Sequence, residues 1–280
     1  MKKLIQYCTE ASKKEEFSLA NWLPAAGMAY VLVTEHDHFI VIDGGEFLAD
    51  AEGLVALMEE IAHGKPVVDL WIMTHLHPDH FGALRALSQS RALLDRVAIK
   101  ALCYNSTDKI SDHGPDNVQI MREIVDGIGC ERITPHTDDV LEIDGTAIRF
   151  FFTWEDLPEN FFEQRRSQNE LSMIFTVSGR EKRVMFTGDS TTFGPNMVAK
   201  KYAPEDLRSD IIQLPHHGLD GGDIQFFKTV DAATVLIPCT VGGARFMRNP
   251  ETIANVRNEY AQNRAWNVLY ACLGTVALDV

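Results

Sequence analysis

The chain has 280 residues and 31.4 kDa, with 45% hydrophobic and 24% charged residues, a globular mixture that excludes a disordered, collagen-like or coiled-coil chain. Its 40 acidic and 26 basic side chains leave a formal charge of −14, which argues against a general nucleic-acid binder with its basic footprint. No apolar run approaches the ~20 residues of a membrane span, and residues 1–16 lack the apolar stretch of a secretory leader. Cys8, Cys103, Cys130, Cys239 and Cys272 are widely spaced without a C-x-x-C pair, which points to reduced thiols and a cytoplasmic protein.

Residues 28–34 and 38–42 read as two strands of a hairpin across Glu35-His36-Asp37. Residues 52–63 carry apolar side chains at helical spacing and stop at Gly64. A strand over 67–74 is apolar enough to be buried on both faces, followed by a helix over 81–88, a strand over 97–104 and a helix over 117–128 ended by Gly129. Two strands within 139–152 flank the hairpin dipeptide Asp144-Gly145, and 170–178 with 182–187 flank Gly179. A short strand at 211–214, a helix around 224–229 and a strand at 234–238 follow. A helix over 250–260 has Asn249 as N-cap and Pro250 at its first position, and strands within 268–280 close the chain. A strand-rich region followed by strand–helix alternation thus occurs twice, and no Pro/Gly/Ser linker separates the two. The expectation is one domain over 1–280 with halves at roughly 1–135 and 136–280, built as two sheets face to face with helices outside.

The densest chemistry lies in Thr74-His75-Leu76-His77-Pro78-Asp79-His80, read as a loop between a buried strand and a helix, where rigid scaffolds present functional groups. In an extended loop His75 and His77 point the same way and can share one metal ion. Pro78 turns the chain, so Asp79 and His80 can reach a second ion. Imidazole and carboxylate suit zinc, manganese or iron, and two ions at ~3.5–4 Å clamp an oxygen substrate and activate water near neutral pH. Three histidines and an aspartate within 6 residues weigh against a chance cluster of surface or capping histidines. The apolar run 185–187 ends in Gly188-Asp189, where a carboxylate can bridge two ions; alone, this dipeptide reads as a turn. Residues 213–218 end a strand in His216-His217, each a ligand or an ordinary loop residue when taken singly.

Taken together, His75-x-His77-x-Asp79-His80 with Gly82, then Thr187-Gly188-Asp189, then Pro215-His216-His217-Gly218 resemble the metallo-β-lactamase-fold superfamily, from about residue 28 to the C-terminus. Ile42-Asp43-Gly44-Gly45 resembles the strand-end Asp-Gly that precedes the motif in that family. The Asn-x-x-Ser pattern at 169–174, the Pro-His-His-Gly form and the closing segment 273–278 are similar to the hydrolase domain of competence DNA-uptake channel proteins and their stand-alone relatives. Some of those relatives act on phosphoesters. The likeness departs at 25–29, where that group has a Gly-x-Gly-Asp-like turn.

The resemblance implies an α/β fold of four layers (αββα), two mixed β-sheets face to face with helices on both outer faces. It places His75 and His77 on metal one, Asp79 and His80 on metal two, and Asp189 between them, with a late histidine completing metal two. The family's Pro-x-His-Gly favours His217, with His216 the competitor. Zinc is the implied cofactor, one or two ions, with manganese or iron as alternatives. Many members carry a further metal-one histidine where this chain reads Gln168-Asn169, so Asn169 stands as a neutral ligand or a substrate contact. Between the first motif and Asp189 the only histidines are His113 and His136, which read as loop, cap or turn residues. Asp43 is expected to orient a ligand histidine through its ring N–H, or to be a turn residue before Gly44-Gly45.

Residues 154–168 are an insertion between strands. There Phe161-Phe162 and Arg165-Arg166 can cover the site and clamp an anion, or the Phe pair packs on the core beneath a surface helix. Arg245, with Arg248, is expected on the loop opening the last helix, a position that favours anions. The expected chemistry is metal-dependent hydrolysis, with activated water attacking phosphorus or a carbonyl and Asp79 steering it or accepting a proton. A phosphoester is the first substrate class, in a phosphodiesterase or nuclease-like reaction. An ester, lactone or thioester is the alternative. A metal-binding regulatory module with little catalysis is the reading from another class. The expected partner is a small molecule or phosphoester, with nucleic acid disfavoured by charge and no membrane.

Overall fold

The computed structural model describes residues 1–16, 27–109, 117–163, 167–247 and 267–280. The chain runs through β1 (Lys3–Gln6), β2 (Ala29–Val33), β3 (Phe39–Asp43), α1 (Leu48–Ala62), β4 (Val67–Ile72), α2 (Pro78–Gln89), α3 (Arg91–Leu94), β5 (Ala98–Ile99), β6 (Ala101–Cys103), α4 (Asn117–Ile128) and β7 (Glu131–Ile133). It continues through β8 (Val140–Ile143), β9 (Thr146–Phe152), β10 (Ile174–Ser178), β11 (Arg183–Phe186), α5 (Phe193–Lys201), α6 (Pro204–Leu207), β12 (Ile211–Gln213), α7 (Ile224–Val230), β13 (Thr234–Ile237), α8 (Val241–Met247), β14 (Asn267–Tyr270) and β15 (Val276–Asp279).

Among the described residues the strands form two mixed sheets, one ordered β15-β1-β2-β3-β4-β6-β7 with β5 also on β4, the other β14-β13-β12-β11-β10-β9-β8. Side chains alternate across each strand, so each sheet has two apolar faces. Tyr30, Leu32, Ile40 and Ile42 of the first sheet meet Phe150, Phe175, Val184 and Phe186 of the second in a central layer. Val31, Val41 and Trp71 face the opposite way, against Leu54, Met58, Phe81, Leu84 and Met121 of α1, α2 and α4. On the second sheet Phe151, Met185, Ile212 and Val235 face Val198, Phe226, Phe227 and Met247 of α5, α7 and α8. The result is the four-layer αββα sandwich. Burying a side chain of this kind is worth about 1.5–3 kcal/mol, and burial on both faces is why 67–74 reads as an unbroken apolar run.

Several elements differ from the sequence expectation. Residues 3–6 form β1 because Leu4 and Ile5 are buried between β2 and the distant β15, in register Leu4↔Leu278 and Ile5↔Ala277. The two closing strands therefore part, β14 pairing with β13 and β15 crossing to β1. The strand expected over 97–104 is interrupted at Lys100, although β5 and β6 keep one parallel register on β4. Residues 170 and 171, expected to open a strand, lie instead in a 3₁₀ turn over Gln168–Leu171 capped by Ser167, whose side chain accepts from the Asn169 N–H. Residues 241–247 are helix α8 rather than a loop, with Gly242 and Gly243 buried. The helix expected over 250–260, its Asn249-Pro250 start and Arg248 lie outside the described residues. Among the described residues no helix is long and apolar enough to cross a membrane.

Candidate metal centre

Strands β3 and β4 run parallel, as do β11, β12 and β13, so their C-terminal ends open on one edge of the sandwich. Asp43 ends β3, and Thr74 to His80 follow β4. Asp189 follows β11, and the histidine pair follows β12. Such an edge is where open α/β sheets present ligand-binding groups. His77 is the N-cap of α2 in extended conformation and Pro78 is its first residue, the position where a missing N–H costs nothing. Asp79 and His80 therefore sit in the first helical turn, not in the loop expected from the sequence.

The structure brings six buried side chains together. One atom each from Asp79, His80, Asp189 and His217 lie within 4.8 Å of one another, and so do atoms of His75, His77 and Asp189. Asp189 belongs to both groups. His217 Nε2 is 3.1 Å from Asp79 Oδ2 and 3.1 Å from Asp189 Oδ2, while His80 Nε2 is 3.2 Å from Asp189 Oδ2. His75 Nε2 is 4.0 Å from the same oxygen. Despite this proximity, Nε2 of His75, His80 and His217 and Oδ1 of Asp189 make no hydrogen bond.

The ring protons are held at the other nitrogens. His80 Nδ1 donates to Asp43 Oδ2 at 2.7 Å, and His217 Nδ1 donates to the Pro238 carbonyl at 2.7 Å. The Thr74 hydroxyl gives its proton to Asp43 Oδ2 at 2.7 Å, so at 3.2 Å it accepts from His75 Nδ1. In a neutral imidazole the second nitrogen is then a lone pair. Three Nε2 lone pairs thus converge on a shared carboxylate, buried and unpartnered. A buried acceptor left so costs roughly 1–3 kcal/mol. This donor set fits one or two divalent cations.

With no cation present, the carboxylates instead favour a second proton on two of these rings. Burial opposes protonation of His217, but Asp189 and Asp79 outweigh it and carry the ring to about 10. Burial likewise opposes protonation of His80, and Asp189, Asp79 and Asp43 raise it well above the ordinary histidine value. Burial and the neighbouring His80 and His77 push His75 well below that value. Against the pull of burial, His217 and His80 hold Asp189 well below the usual carboxylate range. Burial raises Asp43, with His80 opposing.

Thr74, Ser172 and Gln213, to which the sequence gives no role of their own, build the walls. The Thr74 N–H donates to Asp43 Oδ1 at 2.8 Å. The Asp189 N–H donates to Ser172 Oγ at 3.1 Å. Gln213, fully buried, accepts the Thr187 N–H at 2.8 Å and donates to the Gly188 carbonyl at 3.0 Å. Their one sequence signal is a polar residue beside a strand end that is otherwise apolar.

The remaining expected residues are placed as follows. Of the late pair, His217 enters the cluster and His216 does not; His216 contacts Asn169 and Asp220. Asn169 is buried, with its Nδ2 3.1 Å from His216 Nε2. Arg245 lies on α8, not on a loop, and pairs with Glu15 at 2.7 Å, both exposed. Phe161 is buried in the outer core of the second sheet, with Phe162 packed against it, so this pair supports the core. His136 is exposed and bonded to Glu155. Arg165, Arg166 and His113 lie outside the described residues.

A protein-family model for a beta-lactamase superfamily domain matches residues 40–218, a stretch that contains both donor groups. No curated protein matches the chain. Among solved structures the chain is similar to the metallo-beta-lactamase fold protein YhfI from Bacillus subtilis, at 13% identity over 100% of both chains with a TM-score of 0.60. It is similar to Zn(2+)-bound PqqB from Methylobacterium extorquens, at 9% identity over 99% of this chain and 100% of that one, TM-score 0.58. It is also similar to CmlA, a diiron beta-hydroxylase from Streptomyces venezuelae, at 13% identity over 100% of this chain and 54% of that one, TM-score 0.57. The chain thus spans about half the length of CmlA, and at these identities the likeness concerns the fold.

Proposed function

The chain belongs to the beta-lactamase superfamily, and on that premise we propose that it is a metal-dependent hydrolase acting on a phosphoester in a phosphodiesterase or nuclease-like reaction. The observation that carries this reading is the Asp189 carboxylate, common to two buried donor groups. Divalent cations held there would supply Lewis acidity and bring the pKa of water toward neutrality. His75, His77 and Asp189 would hold one ion, and Asp79, His80, His217 and Asp189 the other. Asp43, Thr74 and the Pro238 carbonyl keep the ring protons on the far nitrogens, so the near ones remain donors. Asp79 presents an acceptor oxygen that orients the attacking water and can take its proton.

The Asn-x-x-Ser, Pro-His-His-Gly and closing-strand likeness to the hydrolase domain of competence DNA-uptake channel proteins supports the phosphoester. The imidazole and carboxylate donors support zinc, with manganese or iron served by the same set. The charge of −14 supports a small phosphoester over a nucleic-acid polymer, and the cysteine spacing supports the cytoplasm.

That same charge favours a second reading, an ester, lactone or thioester hydrolase, because an acidic surface repels an anionic phosphoester. The test is turnover by zinc- or manganese-loaded protein on a phosphodiester reporter, short oligonucleotides and a panel of acyl esters and lactones. Phosphodiester turnover that falls on the order of 10³-fold in Asp189→Asn supports the first reading, since losing several kcal/mol of transition-state stabilisation is a change of that size. Turnover on acyl substrates alone decides for the second. An ion held tightly with no turnover on any substrate decides for a binding or regulatory module.

A further inference from the structure

Asn169 lies outside both donor groups, and its buried amide is held at one end only. The residue is 7% exposed, its Nδ2 is 3.1 Å from His216 Nε2, and its Oδ1 is buried with no hydrogen-bond partner. His216 is fixed in turn, its Nδ1 hydrogen-bonded to Asp220 Oδ1.

The chemistry of the three groups settles which way the amide points. A carboxylate only accepts, so the His216 proton sits on Nδ1, facing Asp220. With its proton at Nδ1 the ring offers a lone pair at Nε2, 3.1 Å from Asn169 Nδ2, and the NH₂ end of the amide donates to it. The amide oxygen must therefore face the other side, buried and without a donor. It shares that condition with the cluster atoms His75 Nε2, His80 Nε2, His217 Nε2 and Asp189 Oδ1, and with Tyr104 Oη and Asn196 Oδ1 outside the cluster.

The backbone ties Asn169 to the loop that carries Asp189. The Asn169 carbonyl accepts the Ser172 N–H at 3.1 Å, and Ser172 Oγ accepts the Asp189 N–H at 3.1 Å. The His216 N–H donates to the Gly188 carbonyl at 3.1 Å. His216 and His217 both adopt left-handed backbone, φ 45° and 56°, a conformation that non-glycine residues hold only where the surroundings impose it. That turn sets their rings 6.0 Å apart at 51°, one toward the cluster and one toward Asn169.

The two donor groups are unequal. Counting His, Cys, Asp and Glu among the described residues, one has four side chains and the other three, His75, His77 and Asp189, one short of a closed tetrahedral shell.

We propose that Asp220 and His216 form a positioning relay that holds the Asn169 amide oxygen as a neutral donor to the cation at the His75–His77–Asp189 group. This rests on the metal-centred reading above. It makes His216 a positioning residue and gives each member of the histidine pair its own task.

The test compares wild type with Asn169→Ala, Asn169→Asp, His216→Ala and Asp220→Ala, with His77→Ala as the marker for its ion. Zinc stoichiometry and affinity are read by competition with a chromogenic chelator, and the cobalt-substituted proteins are read by their visible absorption. In wild type two ions bind. Asn169→Ala weakens by roughly ten-fold or more the ion that His77→Ala also weakens, and leaves the other in place. His216→Ala and Asp220→Ala weaken that same ion by about ten-fold, the lower end for groups that orient a ligand. Asn169→Asp, which restores an oxygen at the position, binds it at least as tightly as wild type. The cobalt band of that ion changes in Asn169→Ala, a signature that a purely structural role would not move. Should Asn169→Ala fail to fold, Asp220→Ala carries the test, since the Asp220 side chain is 42% exposed. Asn169→Ala with both ions at wild-type affinity and an unchanged cobalt spectrum overturns the relay while leaving the metal-centred reading intact. A wild type that binds no divalent ion overturns both.

Discussion

Asp43 Oδ2 lies 2.7 Å from His80 Nδ1, and neither side chain has any exposed surface. The same carboxylate takes the N–H and the hydroxyl of Thr74, at 2.8 and 2.7 Å. One buried residue thereby fixes the ring of His80 directly and that of His75 through the Thr74 hydroxyl. Asp43→Asn keeps the volume but replaces one acceptor oxygen by an NH₂ that faces a donor. The expected result is a 10–100-fold loss of metal affinity, the range for groups that orient ligand histidines. A lower melting temperature accompanies it, because a buried donor is left unsatisfied. Chelator competition and thermal melts check both; unchanged affinity would show that Asp43 only shapes the turn.

Removing the ions should destabilise the fold, because the buried donor atoms of His75, His77, Asp79, His80, Asp189 and His217 lose the cation on which they converge. A ligand at 100 times its Kd stabilises by about 2.7 kcal/mol. At roughly 2–4 °C per kcal/mol for a large domain, that is a drop of about 5–10 °C on adding a strong chelator. Excess zinc should restore it. Calorimetry of the chelated and reloaded protein reads this directly, and coincident melts would count against a cation at this cluster.

The part of this centre that can be read from the chain is the part that is contiguous. His75 to His80 falls in one strand-to-helix connection, where the density of donors is itself the signal. Asp189 and His217 are each a single residue after a strand, and only their order along the chain marks them. Thr74 and Gln213 carry no such mark, and Ser172 only its place in Asn-x-x-Ser, since a buried threonine, serine or glutamine acquires its role from the chain that comes near it. The layered core follows from alternation within strands, as at Tyr30, Val31 and Leu32, which face alternate sides. The edge of the first sheet does not, because β1 is four residues long and its partner β15 lies at the other end of the chain. Helix α8 was hidden for a different reason: Gly242-Gly243 reads as a breaker, yet both glycines are buried within it.

Gly188 couples the two motif-bearing loops. Its φ is +54°, and a Cβ there would stand 2.9 Å from Thr74 Cβ and 3.0 Å from Ser172 Cβ, contacts too short for carbon. Gly188→Ala therefore meets both a disfavoured backbone and a clash with the residues that support Asp43 and Asp189. The expected cost is about 1–3 kcal/mol, measured as a lower urea midpoint. Affinity for the ions should fall with it, as the Asp189 carboxylate is displaced. An alanine variant of wild-type stability would mean that this turn relaxes freely.

The second sheet is clasped to the first at a site far from this chemistry, and that clasp should respond to acid. Asp144, at the β8–β9 turn, accepts the His36 N–H at 3.0 Å and contacts His36 Nδ1 at 2.5 Å, across the turn joining β2 and β3. A hydrogen bond from Thr34, then those from His36, hold the Asp144 carboxyl below its ordinary value of 3.8. A carboxyl depressed in the folded state favours folding above its unfolded value, and that contribution disappears as pH falls through the folded one. Asp144→Asn retains a residue that tolerates the left-handed φ of 46° but loses the charge. At pH 6 it should be less stable than wild type by roughly 0.5–1 kcal/mol, a figure discounted for solvent screening at an exposed turn. Below the ordinary carboxyl range the gap should narrow as wild type gains its proton. Urea midpoints of the two proteins from pH 6 down to the acid limit of folding give the comparison. A gap that stays constant or widens toward acid would mean that the Asp144 charge does not hold the two hairpins together.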